Sequence, residues 1–110
     1  MVRPDVLEEL RQFVAERDWS QFHTPANLAK SIVIEGAEML EHFQWDDSFD
    51  RDEVVDELAD VLTYAVLLAD RLDADVDEIV LSKLAKTRQK YPTALARGKS
   101  EKYDRLQDQA

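Results

Sequence analysis

An all-α fold is what this sequence predicts: a four-helix bundle-type subunit with a short C-terminal tail. Three observations carry that expectation. Only two glycines and three prolines occur in 110 residues, too few for a fold built on many tight turns. Apolar residues recur at spacings of three and four rather than alternating. Helix-start signals stand at the head of most of the periodic segments.

The first helix is expected from about Asp5 to Arg17, where Leu7, Leu10, Phe13 and Val14 make one narrow apolar stripe. Asp18 to His23 then reads as a loop. The second helix opens on Thr24 as N-cap with Pro25 at its first position and runs to about Trp45. It is apolar nearly all round. Leu28, Ile32, Met39 and Phe43 share one face, Val33, Ala37 and Leu40 continue the side, and Ile34 lies almost opposite. Three other helices of a chain this short hardly cover it, so a subunit interface is expected, a homo-oligomer with a tetramer favoured over a dimer. Gly36, unfavourable in a helix by about 1 kcal/mol, suggests close approach of a neighbour or a ligand. Residues 46–49 read as a loop. Asp50 with Glu53 starts a third helix that runs to about Leu72, and Asp75 with Glu78 starts a fourth that runs to about Lys90. Pro92 stops it. The core of a single domain over residues 1–110 is thus about 5–92, with a polar, basic tail over 93–110.

Composition narrows the function classes. Without cysteine, the chain has no disulfide, no thiol catalysis and no thiolate metal site, which fits a cytoplasmic protein. No apolar run approaches the roughly 20 residues of a membrane span, and no signal peptide is recognised. A net charge of −10 argues against a nucleic-acid polymer as partner. The charge is also segregated. Residues 1–81 carry 6 basic and 21 acidic side chains, and residues 82–105 carry 8 basic and 2 acidic ones. That split reads either as a phosphate-binding segment beside a metal-binding one, or as a solvated helix end.

Carboxylates interrupt the apolar pattern. On the second helix the stripe Leu28, Ile32, Met39 runs through Glu35, and Glu38 stands three residues on at the edge of the same face, with Ser31 and His42 on that flank. On the third, the stripe Val54, Leu58, Val61, Leu62, Ala65, Leu68 is flanked by Glu53, Glu57, Asp60 and Tyr64. Such spacings place side chains on one helical face. If the flanks meet, four carboxylates converge, and without a cation they repel and shift toward protonation. All-oxygen donors select a hard ion, Mg²⁺ or Mn²⁺. A di-iron bundle needs Glu-x-x-His on two helices, and here His42 follows Glu38 by four while the third helix has no histidine. Trp19, His23, Trp45 and Tyr64 are candidates to hold a base, with Phe22 expected to seal the core. Lys83, Lys86 and Lys90 repeat along the fourth helix near Arg88 and suit phosphates as point charges. A glycine-rich phosphate loop is absent.

These segments together resemble the MazG-like, all-α nucleoside triphosphate pyrophosphohydrolases, and within them the dCTP-pyrophosphatase-like branch. The resemblance lies in Glu16 to His23, Asn27-Leu28, Glu35-Gly36-Ala37-Glu38, Phe43-Gln44-Trp45, Asp56 to Tyr64, Ser82-Lys83-Leu84, Arg88 to Pro92, Arg97-Gly98 and Lys102-Tyr103. It implies a helical, commonly tetrameric enzyme that cleaves a nucleoside triphosphate between its α and β phosphates and so clears unwanted nucleotides. It implies Mg²⁺ on Glu35, Glu38, Glu57 and Asp60, with Glu35 or Glu38 activating the water. Trp19, Trp45 and Tyr64 match nucleotide-lining positions and Lys83 a phosphate position, with His23, Lys86, Thr87, Arg88 and Tyr91 as further substrate candidates. Two departures concern the base and sugar: Leu10 stands where dCTP-cleaving members place a histidine, and Thr87 where many members have asparagine. Two other readings compete: a helical nucleotide-binding module without turnover, and a phosphoribosyl-ATP pyrophosphohydrolase-like enzyme. The four carboxylates argue against the first and the Trp-Ser-Gln-Phe-His and Phe-Gln-Trp segments against the second.

Overall fold

The computed structural model describes residues 2–100 and is wholly helical among them. Five α-helices follow in order: α1 Pro4–Glu16, α2 Pro25–Glu41, α3 Arg51–Arg71, α4 Val76–Lys90 and a single-turn α5 Thr93–Ala96. A 3₁₀ turn, Trp19–Phe22, precedes α2. The chain divides into two compact units after Val76, the first holding α1 to α3 and the second containing nearly all of α4 with α5. The expected all-α class holds among the described residues, and a short fifth helix, α5, follows the four that were expected. No helix among the described residues is long and apolar enough to cross a membrane. Lys102 and Tyr103, with the end of the expected tail, lie outside the described residues.

Local chemistry sets most of the boundaries. Thr24 Oγ1 accepts a hydrogen bond from the Asn27 amide at 3.1 Å, and Pro25 fills the first helical position, where no amide partner is needed. Asp50 Oδ1 accepts from the amides of Asp52 at 3.0 Å and Glu53 at 3.2 Å and so starts α3. α3 ends in a Schellman arrangement. The Ala74 amide reaches the Ala69 carbonyl at 2.8 Å, the Asp73 amide reaches Asp70 at 3.1 Å, and Asp73 takes the left-handed conformation at φ 59°.

Two segments differ from the sequence expectation. α2 stops at Glu41, four residues before Trp45. The amides of His42, Phe43 and Gln44 bond three residues back, tightening the end of the helix, and Phe43 leaves it to pack on Phe49 at 4.9 Å. The 18–23 loop is a 3₁₀ turn entered through Asp18 at φ 52°, and Asn27 Nδ2 holds the Phe22 carbonyl at 3.0 Å. Phe22 is exposed there instead of sealing the core.

Within the first unit α2 and α3 form the main helix pair, and α1 packs on α3. Arg11 of α1 ties to Asp70 of α3 through two guanidinium nitrogens, a fork-like ion pair. The buried core is small: Val14, Leu28 and Ala69. Two leucines of the α3 stripe, Leu58 and Leu62, are 41% and 54% exposed, while Glu57 on its flank is half-buried. α3 thus turns part of its acidic flank inward and part of its apolar stripe outward.

Candidate active site

Neighbouring turns of α2 and α3 bring three of the four expected carboxylates together. Glu35, Glu57 and Asp60 each offer an oxygen, and these atoms lie within 4.8 Å of one another. Glu35 projects from α2, while Glu57 and Asp60, three residues apart, project from one face of α3. Glu38 is exposed and stands outside that convergence, one turn along α2 from Glu35. Spacing places Glu35 and Glu38 on one flank, and the helix pair then buries only the first.

The electrostatics are those of a site short of positive charge. Burial is the largest cause that lifts the Glu35 carboxyl above the ordinary glutamate range. The carboxyl of Glu38 and the charges of Asp60 and Glu57 push it the same way. Glu35 Oε2 is shut off from solvent and has no hydrogen-bond partner. A buried acceptor without a donor is costly, and a hard cation on three carboxylate oxygens would satisfy it. The donor set therefore fits a cation such as Mg²⁺ or Mn²⁺. Glu57 is the member with a histidine beside it: His42 Nε2 stands 3.6 Å from its Oε1, and His42 Nδ1 stands 3.7 Å from Glu53 Oε2.

Beside the carboxylates lies a hollow of about 360 Å³ lined by Leu10, Phe13, Val14, Trp19, His23, Asp60, Thr63, Tyr64 and Leu67. It collects Trp19, His23 and Tyr64 of the expected nucleotide residues and joins them to the cluster through Asp60. Phe13, read from sequence as core, is a wall of this hollow. Its ring meets Trp19 edge-on at 5.5 Å, and the Arg17 guanidinium sits 3.9 Å over its centre. The aromatic spacing Phe13 to Trp19 crosses a loop, so no helical periodicity announces the pair. A second hollow of about 320 Å³ shares Val14, His23 and Leu67 but is lined by Arg11, Asp70 and Arg71 and by none of the four carboxylates.

Other candidates stand elsewhere. Trp45 lies beyond the end of α2 and is 89% exposed. Lys83, Lys86, Thr87 and Arg88 lie on α4 and Tyr91 just past it, in the second unit. There Lys83 and Thr87 border an open apolar hollow with Ile79, Val80 and Leu84, and Thr87 Oγ1 donates to the Lys83 carbonyl at 3.0 Å. Apart from its chain neighbours and its own helix backbone, Gly36 has nothing within 4 Å of where a Cβ would stand, so no close approach among the described residues explains it.

Residues 30–106 match the model of the MazG-like family. The chain belongs to that family. Its relatives include dCTP pyrophosphatase 1 of Mus musculus, 41% identical over 114 residues spanning 91% of this chain and 67% of the relative. The Homo sapiens enzyme of the same name is 42% identical over the same shares. Among solved structures, a pyrophosphatase from Archaeoglobus fulgidus superposes with a TM-score of 0.72 at 41% identity, covering 80% of this chain and 90% of that one. The alignment to the Mus musculus dCTP pyrophosphatase 1 spans 91% of the chain, well beyond the carboxylate helices alone.

Proposed function

We propose that this MazG-like nucleoside triphosphate pyrophosphohydrolase is Mg²⁺-dependent, with Mn²⁺ able to substitute. Its substrate is dCTP or a modified pyrimidine deoxynucleoside triphosphate, released as monophosphate and pyrophosphate. The observation that carries this reading is Asp60, which belongs to the carboxylate cluster and also lines the aromatic hollow. A base stacked against Trp19 in that hollow leaves its phosphates at the carboxylates. The mammalian relatives, both dCTP pyrophosphatases by name, support the cytosine deoxynucleotide.

Glu35, Glu57 and Asp60 are the residues to hold the cation, with Glu38 completing the set from the flank of Glu35. A cation held there would supply positive charge against the phosphate oxygens and would make a nearby water more acidic. Glu38 or Glu35 takes the proton from that water. The water oxygen bonds to the α-phosphorus, the bond from that phosphorus to the bridging oxygen breaks, and pyrophosphate leaves with the bridging oxygen. Chemistry of this kind rests on positioning and electrostatics, so no nucleophilic side chain is required. Trp19, Tyr64 and Trp45 serve the base and sugar, with His23 at the back of the hollow. Lys83, Lys86 and Arg88 are assigned to phosphate charge and Thr87 and Tyr91 to the substrate by residue type and family pattern.

The working form in this reading is a homo-oligomer, a tetramer rather than a dimer. Its support is the apolar surface that the chain leaves open: Val33 at 71% exposure, Ile34 and Leu40 on α2, with Leu58 and Leu62 on α3. Light scattering on a sizing column is expected to give four times the mass of one chain, and a monomer at micromolar concentration contradicts it. The test of the reaction is a nucleotide panel in Mg²⁺ with products separated by chromatography. dCTP is expected to give dCMP and pyrophosphate, with activity lost in Glu38→Ala. Full activity in Glu38→Ala, or no turnover of any triphosphate with either ion, contradicts the assignment.

A further inference from the structure

We propose that His42 is a positioning residue that holds Glu57 in place for the cation. The inference rests on the reading of Glu35, Glu57 and Asp60 as a cation site. His42 caps the C-terminal end of α2 and is half-buried against α3. Its two ring nitrogens face different carboxylates one turn apart: Nε2 stands 3.6 Å from Glu57 Oε1 and Nδ1 stands 3.7 Å from Glu53 Oε2. The ring therefore bridges Glu53, whose side chain is 68% exposed, and Glu57, whose side chain is 26% exposed. The two nitrogens diverge from their shared Cε1, so one ion cannot take both of them, and each nitrogen serves its own carboxylate. Among the described residues, the three-way convergence of ligand atoms leaves His42 and Glu53 out. The geometry points to a linking role, with His42 behind Glu57 and not among the three convergent carboxylates.

Glu57 needs such a link. A glutamate has three side-chain torsions, and an unheld one samples many orientations. Asp60, one torsion shorter, and Glu35, enclosed at its Oε2, are constrained by other means. The distances to His42 exceed hydrogen-bond length, and a small rotation of either side chain closes the Nε2–H to Glu57 contact when the carboxylate takes its ion. Partners behind a ligating carboxylate or imidazole commonly set metal affinity by roughly 10- to 100-fold. The position follows Glu35 by seven and Glu38 by four, so the helix that carries the first carboxylates also carries the brace for the third.

The test is Mn²⁺ binding to the metal-free protein, read as the loss of the free-ion electron paramagnetic resonance signal. Wild type, His42→Phe, His42→Gln, Glu57→Gln and the His42→Phe/Glu57→Gln double variant are compared, with circular dichroism confirming the fold. His42→Phe keeps a ring without nitrogens and is expected to weaken binding roughly 10-fold. His42→Gln keeps an N–H donor and is expected to recover most of that loss. In the Glu57→Gln background His42→Phe is expected to add nothing, the mark of action through Glu57. In turnover, the Mg²⁺ concentration for half-maximal rate rises while kcat at saturating Mg²⁺ stays within about two-fold of wild type. Binding by His42→Phe that equals or exceeds wild type overturns the inference, as does an undiminished effect in the double variant. Wild-type protein that binds no Mn²⁺, or Glu57→Gln that binds it undiminished, overturns the cation site itself and the inference with it.

Discussion

Replacing Glu35 by glutamine should move stability in opposite directions with and without a divalent cation. Without metal, the Glu35 carboxyl is burdened by its own burial and by the charges of Glu38, Asp60 and Glu57, and its Oε2 has no donor. At the 4.8 Å limit of the cluster, two unit charges at an effective dielectric of about 20 repel by roughly 3 kcal/mol. Asp60 is exposed and water screens its share, so the net relief on removing the charge is about 1 kcal/mol. The sign with pH follows from the raised Glu35 carboxyl. A carboxyl that prefers its proton in the fold costs nothing below the ordinary glutamate range. The cost enters as pH rises through the interval between the unfolded and folded values and is complete above it. Metal-free Glu35→Gln should therefore melt above wild type at pH 8 and match it near pH 4. With Mg²⁺ at about 100 times its Kd, wild type gains about 2.7 kcal/mol, or roughly 10 °C in a domain of this size. Glu35→Gln loses a charged ligand of the cluster, and its gain should fall below about a third of that. The assay is differential scanning fluorimetry of metal-free protein with Mg²⁺ added back, at both pH values. A variant that melts below wild type without metal, or gains as much from Mg²⁺, refutes the reasoning.

Three further predictions follow from particular contacts. Leu28 is 1% exposed and is the largest fully enclosed side chain, so Leu28→Ala should cost about 2–5 kcal/mol in urea unfolding; a cost under about 1 kcal/mol contradicts the packing described. The Arg11 guanidinium, chiefly through its hydrogen bonds, holds the Asp70 carboxyl below its ordinary range, so the stability it lends is present above the unfolded aspartate value and fades as pH falls through the folded one. Asp70→Asn should lower Tm at pH 7 and narrow the gap to wild type near pH 2, and an equal gap at both values contradicts it. Trp19→Ala removes a stacking surface worth about 1–3 kcal/mol per base, so KM for the nucleotide should rise about 10-fold with kcat changed less; a change confined to kcat excludes a base-holding role.

Much of this architecture was legible because it is local. Thr24-Pro25 and Asp50 mark helix starts through hydrogen bonds made within three residues, and those starts are where the structure has them. The pairing of Glu35 with Glu57 and Asp60 was legible because three- and four-residue spacings fix a helical face. Spacing does not say how far a face is rotated into its neighbour. Glu38 therefore falls outside the convergence, Leu58 and Leu62 turn outward, and Trp45 leaves the helix that periodicity extended to it. The 3₁₀ turn was hidden for a related reason. It depends on a left-handed Asp18 and on Asn27 reaching back across five residues, and neither writes a repeat into the sequence. The bridge from His42 to Glu53 and Glu57 joins two helices and is visible only once they are paired.

In the proposed reaction, water attacks the α-phosphorus of a nucleoside triphosphate at the Glu35–Glu57–Asp60 cluster. Hydrolysis of dCTP in ¹⁸O-enriched water with Mg²⁺, followed by mass spectrometry of both products, tests it most directly. The label should appear in the dCMP phosphate and be absent from pyrophosphate. Label in pyrophosphate, or release of inorganic phosphate with dCDP, contradicts the account.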